Sequence, residues 1–214
     1  MSEYLYSHRD TFLARCWWQG AGVRIEPRAW AEAKRHLAAI WVETGSRGNR
    51  GHWDRYLQSE QDGVLEKQLS PIDYLSPDQH YYELFWFGAY TQGSGERGKR
   101  RYYEIRPADR VWTVARWALD SSLDALSGYV GIWRTDEPQG GAIKPDGARL
   151  WTIDGLDEAL NPGDRQYNLR LTTPSGYPLK RYESDGDRFF NTRKGESGLV
   201  ALQVLSIPHP FGER

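Results

Sequence analysis

Cysteine, lysine and long apolar runs are all scarce in this chain. Cys16 is the only cysteine among 214 residues. A single thiol excludes an intramolecular disulfide and any zinc site built from a cysteine cluster. It lies within the apolar stretch 12–18, where a packed, inert thiol is the expectation. No window approaches the ~20 apolar residues that a membrane-crossing helix needs. The first ten residues, MSEYLYSHRD, lack the basic start and apolar centre of a secretory leader. The expectations are no membrane partner and a cytoplasmic location.

The remaining scarcities concern chemistry. The five histidines, His8, His36, His52, His80 and His209, form no pair at metal-ligand spacing. No phosphate-binding Walker loop, nucleophile elbow or dinucleotide fingerprint stands between a strand and a helix. No metal and no cofactor are expected, and no established catalytic motif marks an enzyme. The net charge of −1 gives no global pull toward a polyanion, so a nucleic-acid surface would need local asymmetry.

Aromatic rings and arginine are abundant instead. There are 10 Trp and 13 Tyr, and of 28 basic side chains only 6 are lysine, leaving 22 arginines. Arginine brings a planar charged fork that stacks on rings and pairs with phosphate or carboxylate. Most tryptophans of one domain belong to its core. The surplus of both types nevertheless suits a chain that recognises a partner.

The pattern along the chain reads as α+β: an antiparallel, sheet-rich domain with helices concentrated in the N-terminal third. Residues 11–18 read as a strand. Pro27 suits the first turn of a helix, and Trp30, Ala33, Leu37 and Trp41 recur at helical spacing up to Gly45. Residues 52–69 read as a second helix, broken by Gly63. Strands follow at 81–90 and 100–106, joined by a glycine-rich turn. Residues 110–119 read as a strand leading into a short helix. Later strands fall at 129–134, 149–153, 166–172, 177–183, 187–192 and 198–207, with Asp185-Gly186 as a hairpin turn. No linker or repeat divides the chain, so 1–214 is read as a single globular domain.

The strongest binding candidate is the hairpin at 93–106. It carries Arg97, Lys99, Arg100, Arg101 and Arg106 against one acid between 97 and 106, with Tyr102 and Tyr103 on opposite faces of a strand. Cations neutralise phosphate, and a ring stacks on an unpaired base. The expected role is a nucleic-acid-contacting subunit of a larger assembly, binding RNA or single-stranded DNA. Arg47, Arg50, Arg134, Arg193 and Lys194 would extend that surface if the fold gathers them. The glycine-containing loop 192–198 could offer backbone amides to phosphate.

Two alternatives stand beside it. One is a structural or protein-interaction subunit whose exposed aromatics anchor a protein partner. The other is a metal-dependent nuclease or phosphoesterase. Pro77-Asp78 followed by Glu104-Ile105-Arg106 is similar to a nuclease pattern of Pro-Asp and a later Glu-x-Lys, with arginine where the lysine stands. The string 144–149 resembles the Lys-x-Asp-Gly-x-Arg of covalent nucleotidyltransferases. Too little chain follows it for that catalytic domain, and a Pro-Asp-Gly turn explains it.

Overall fold

The computed structural model describes residues 4–20, 37–43, 53–59, 81–82, 84–92, 100–108, 117–121, 128–134, 150–184 and 187–207. These form β1 (Tyr4–Gly20), β2 (Leu37–Glu43), β3 (Trp53–Ser59), β4 (Tyr81–Tyr82), β5 (Leu84–Gln92), β6 (Arg101–Ala108) and β7 (Trp117–Ser121). They continue as β8 (Val130–Arg134), β9 (Thr152–Asp154), β10 (Arg165–Thr172), β11 (Lys180–Ser184), β12 (Asp187–Asn191), β13 (Glu196–Ser197) and β14 (Leu199–Ser206).

The strands make three antiparallel sheets. The largest has six strands in the order β6-β5-β1-β14-β10-β9. It curls until its ends meet. Just before β9, Trp151 exchanges both backbone hydrogen bonds with Tyr103 of β6, at 2.7 and 2.8 Å. Closure at that level removes the sheet edges that would otherwise invite pairing with other chains. A five-stranded sheet, β4-β2-β3-β8-β7, and a three-stranded one, β12-β11-β13, complete the fold.

Strand alternation sorts the side chains. On β1, Phe12, Ala14, Cys16 and Trp18 point inward; on β5, Phe85, Phe87 and Ala89 do; on β6, Tyr103 and Ile105. A small barrel is filled by its own side chains rather than hollow. Phe12 and Phe87 stack at 4.7 Å, with Tyr103 edge-on to both. Such ring pairs add about 0.5–1.5 kcal/mol beyond their buried area. Leu57, Leu119 and Val130 of the five-stranded sheet join the same core. The indole of Trp151 donates to the carbonyl of Leu119 at 3.0 Å, so a buried polar tip finds a partner in the neighbouring sheet. Cys16 lies in this core, and burial pushes its thiol far above the ordinary range. It is an inert packing residue.

The α+β expectation is overturned. Among the described residues there is no helix, and the fold is all-β. Residues 37–43 form β2 rather than the end of a helix. They pair residue for residue with β3, from Leu37 opposite Ser59 to Glu43 opposite Trp53. The helical stripe samples only one residue per turn, whereas Ile40, Trp41 and Val42 are β-branched or aromatic and suit a paired strand. Residues 53–59 likewise form β3 rather than a helix, with Leu57 buried at 1%. The helix read over 52–69 counted apolar positions on both sides of Gly63, and cross-strand pairing overrode that loose period. At 117–121 the chain is the strand β7. The rest of the expected helices, 27–36 and 60–69, lies outside the described residues, and at 120–121, where a short helix was to follow the 110–119 strand, the chain is still in β7.

Candidate functional site

The local rules of β1 and β5 build an aromatic outer surface beside the 93–106 hairpin. In β1, residues 8–11 stand opposite Gly88 alone, because Ser7 pairs with Ala89 and Phe12 with Phe87. This wide bulge is pinned by Thr11. Its hydroxyl donates to the Ser7 carbonyl at 2.8 Å and accepts the Ala89 amide at 3.0 Å. Gly88 is required here for a second reason. The Trp86 indole lies directly over it, in the space that a Cβ would occupy. The indole thereby reaches Tyr6, stacking at 6.3 Å, while Tyr6 meets Tyr90 edge-on at 5.5 Å. Tyr4 meets Tyr102 edge-on at 5.3 Å.

The residues of the expected nucleic-acid hairpin separate in space. Arg97 and Lys99 lie outside the described residues. Arg100 is the most exposed described cation of the group, at 61%. It donates to the Thr152 hydroxyl at 3.2 Å and stands 3.7 Å from the Asp154 carboxylate. Arg101 reaches toward β1 and the segment after β9. It pairs with Asp10 at 3.4 Å and donates to the carbonyls of Asp157 and Glu158. Tyr102 is on the outer face, and its hydroxyl donates to Gln92 at 3.3 Å. Tyr103 is a core residue, 2% exposed. Arg106 pairs with Glu104 at 2.8 Å and lies over the Trp86 ring.

Two tyrosines on these strands are shifted upward. Burial raises Tyr103 to about 12, partly opposed by Arg101. Burial first, then the Glu104 carboxylate, raises Tyr90 to about 12. Glu104 accepts hydrogen bonds from both Tyr90 and Arg106. It is the nuclease candidate residue that the structure describes; Asp78 lies outside. Among the described residues no three metal-binding side chains converge.

A pocket of about 310 Å³ lies between the β1 bulge and residues 158–161. Arg101 lines it, but the interactions just described already fix its guanidinium.

A second aromatic and basic surface forms on the three-stranded sheet. Lys180 and Tyr182 are two residues apart on β11 and so share a face. The loop from Asn191 to β13 returns two cations to that face. The Asn191 side-chain oxygen accepts the backbone amides of Arg193 at 2.7 Å and Lys194 at 2.9 Å. This is an Asx-type turn. Those amides are therefore engaged within the loop rather than presented to phosphate. Gly195 then turns the chain at φ 97°, and a Cβ there would strike the Arg181 backbone. Arg193 is placed over Tyr177 at 5.8 Å and Lys194 over Tyr182 at 5.6 Å. The Lys180 ammonium donates to the Arg193 carbonyl at 3.1 Å.

Sequence reasoning noticed Arg193 and Lys194 but missed Tyr177, Lys180 and Tyr182 as their neighbours. The available signal was the two-residue spacing of Lys180 and Tyr182, together with a later glycine-containing loop that opens with Arg193-Lys194. Arg47 and Arg50 lie outside the described residues, and only the backbone of Arg134 is described.

No protein-family model matches this chain, and comparison with curated proteins and with solved structures gave no match.

Proposed function

We propose that this chain is a non-catalytic binding module that contacts single-stranded nucleic acid, working as one subunit of a larger assembly. The observation that carries the reading is the placement of two neighbouring cations over tyrosine rings on one surface: Arg193 on Tyr177 and Lys194 on Tyr182. A single strand offers what such a surface accepts, with bases to stack and phosphates to neutralise. The reading needs no active site. It accords with Glu104, the described member of the nuclease pair, being engaged by Tyr90 and Arg106.

The test is intrinsic tryptophan and tyrosine fluorescence, with anisotropy of a labelled mixed-sequence single-stranded RNA and DNA, at low and high salt. Saturable binding that weakens as salt rises is the expected result. No binding at low salt would remove the proposal.

One observation favours a second reading, a protein partner held by aromatic anchors. On β1, Tyr6 is 44% exposed and clusters with the Trp86 and Tyr90 rings. Clustered rings on an outer face suit the anchoring of a protein partner. Capture of a partner that is lost in Tyr6→Ala, with nucleic-acid binding absent, would select it.

A further inference from the structure

We propose that the strand-binding surface is the face carrying Tyr177, Lys180, Tyr182, Arg193 and Lys194, and that its ligand is single-stranded nucleic acid gripped by base stacking as well as charge. The proposal rests on the binding-module reading above and locates it away from the 93–106 hairpin, where sequence composition had put it.

Three observations carry it. First, Tyr177 is 47% exposed, the most accessible large ring among the described residues, whereas Tyr103 of the hairpin is buried. A base stacks on a ring only where a face is open. Second, Lys180 is held by a carbonyl and Lys194 by a ring. Among the described residues, Lys180 and Lys194 form no ion pair with a carboxylate; their contacts are the Arg193 carbonyl and the Tyr182 ring. An approaching phosphate therefore displaces no internal counter-ion at these two positions. On β6, by contrast, Arg101 and Arg106 would have to leave Asp10 and Glu104. Third, the loop is preorganised. Asn191 fixes both amides of Arg193-Lys194, and Gly195 makes the return turn. A surface ordered before binding loses less freedom on binding.

Of the acids in this sheet whose side chains are described, Glu183 and Glu196 alternate with the face of Lys180 and Tyr182. Glu183 is one residue out of phase with Tyr182, and it is taken by Arg188 at 3.1 Å near the β11–β12 turn. Glu196 lies opposite Arg181, whose position on β11 also alternates with those of Lys180 and Tyr182.

The experiment compares the full chain with three variants by anisotropy on a short labelled single-stranded RNA across a salt series. Inorganic polyphosphate serves as a base-free competitor. In Lys180→Gln/Lys194→Gln, affinity is expected to fall about tenfold, and the salt slope to flatten by roughly 1.4, as two lost phosphate contacts require. In Tyr177→Ala, affinity is expected to fall about tenfold with the salt slope unchanged, because stacking carries no counter-ion release. Arg97→Gln/Lys99→Gln/Arg100→Gln is expected to bind as the parent does.

The opposite pattern, a weakened hairpin triple with the Lys180/Lys194 double and Tyr177→Ala unchanged, overturns this location while leaving the binding-module reading intact. Absence of binding by the parent chain overturns both. Polyphosphate competing as well as unlabelled RNA, with Tyr177→Ala neutral, overturns the stacking part and reduces the surface to a polyanion patch. All substituted side chains that the structure describes lie at least partly exposed on the surface. Retention of the parent's melting temperature checks that each variant is folded.

Discussion

The strand pair β5–β6 and the sheet β11–β13 are both antiparallel, tyrosine-bearing and basic in sequence, yet Arg101 and Arg106 of the first meet carboxylates while Lys180 and Lys194 of the second meet a carbonyl and a ring. On β6, Arg106 finds Glu104 two residues away, and Arg101 crosses to Asp10, 91 positions earlier in the chain. On the β11–β13 sheet the loop after Asn191 delivers Arg193 and Lys194 onto tyrosine rings. A run of basic letters is therefore a poor guide to a basic surface. What decides is whether a carboxylate, near or remote in sequence, closes the charge. A partly buried pair also holds its arginine in place, while a cation on a ring keeps its outer face toward solvent.

The largest expected effect breaks one side of this comparison only. Gly88→Ala puts a methyl group where the Trp86 indole lies. The indole must leave its position against Tyr6, and the Arg106 contact goes with it. Overpacking of this kind costs about 1–3 kcal/mol. The variant is expected to show a lowered melting temperature and changed tryptophan emission. Strand binding on the remote face is expected to persist at temperatures where the variant is folded. Loss of that binding in the folded variant would tie the two surfaces together and weaken the separation drawn between them.

A smaller effect sharpens the comparison. Asp10→Asn removes the charge that holds Arg101 and weakens the acceptor used by the Ser7 hydroxyl at 2.6 Å. The pair is partly buried, so a loss of about 1 kcal/mol is expected. Chemical denaturation would read it. Arg101 keeps its hydrogen bonds to the Asp157 and Glu158 carbonyls but becomes a cation without its carboxylate on the hairpin side. If neutralisation is what silences that side, the variant gains affinity for polyphosphate relative to the parent. No gain would mean that geometry, rather than charge pairing, keeps the hairpin from anions.

Alkaline pH probes the same contrast through the rings. Tyr90 and Tyr103 ionise at about 12 when folded, against about 10 in an unfolded chain. Their folded values are raised, so the stability they confer is complete below about pH 10 and is lost as pH rises toward 12. Ultraviolet titration at high pH is expected to show fewer tyrosinates in the native protein than in denaturant between those values. Equal counts would show that the β5–β6 rings are open to solvent.

How much of this was legible depends on which interactions the sequence makes local. The later strands were readable because each segment is short, rich in β-branched and aromatic residues and bounded by turn residues. β10, β11, β12 and β14 fall within a few residues of their expected positions. β2 and β3 were not readable, because Leu37 and Trp41 satisfy a helical period equally well and only pairing with β3 decides between them. Closure through Tyr103 and Trp151 leaves no periodic trace at all. At the site, the opposite orientation of Tyr102 and Tyr103 follows from alternation. Which of the two points inward does not, since that depends on the register with β5 and β9. Asp10 as the partner of Arg101 was beyond reach for the same reason.

The smallest expected effect concerns Arg100, the member of the hairpin that most resembles an available cation. Its carboxylate partner Asp154 is 3.7 Å away, and both side chains are about three-fifths exposed. Exposed pairs of this kind are screened by solvent and salt, so Arg100→Gln is expected to change stability by less than about 0.5 kcal/mol. Its hydrogen bond to Thr152 is the one fixed contact on β9 that would be lost. If single-residue replacement here weakened strand binding as much as loss of both Lys180 and Lys194, exposure rather than freedom from carboxylates would be the rule that selects the binding surface. A neutral result leaves the rule as drawn: Lys180 and Lys194, which form no ion pair among the described residues, are available to a ligand, whereas Arg101 and Arg106, which rest on carboxylates, serve the fold.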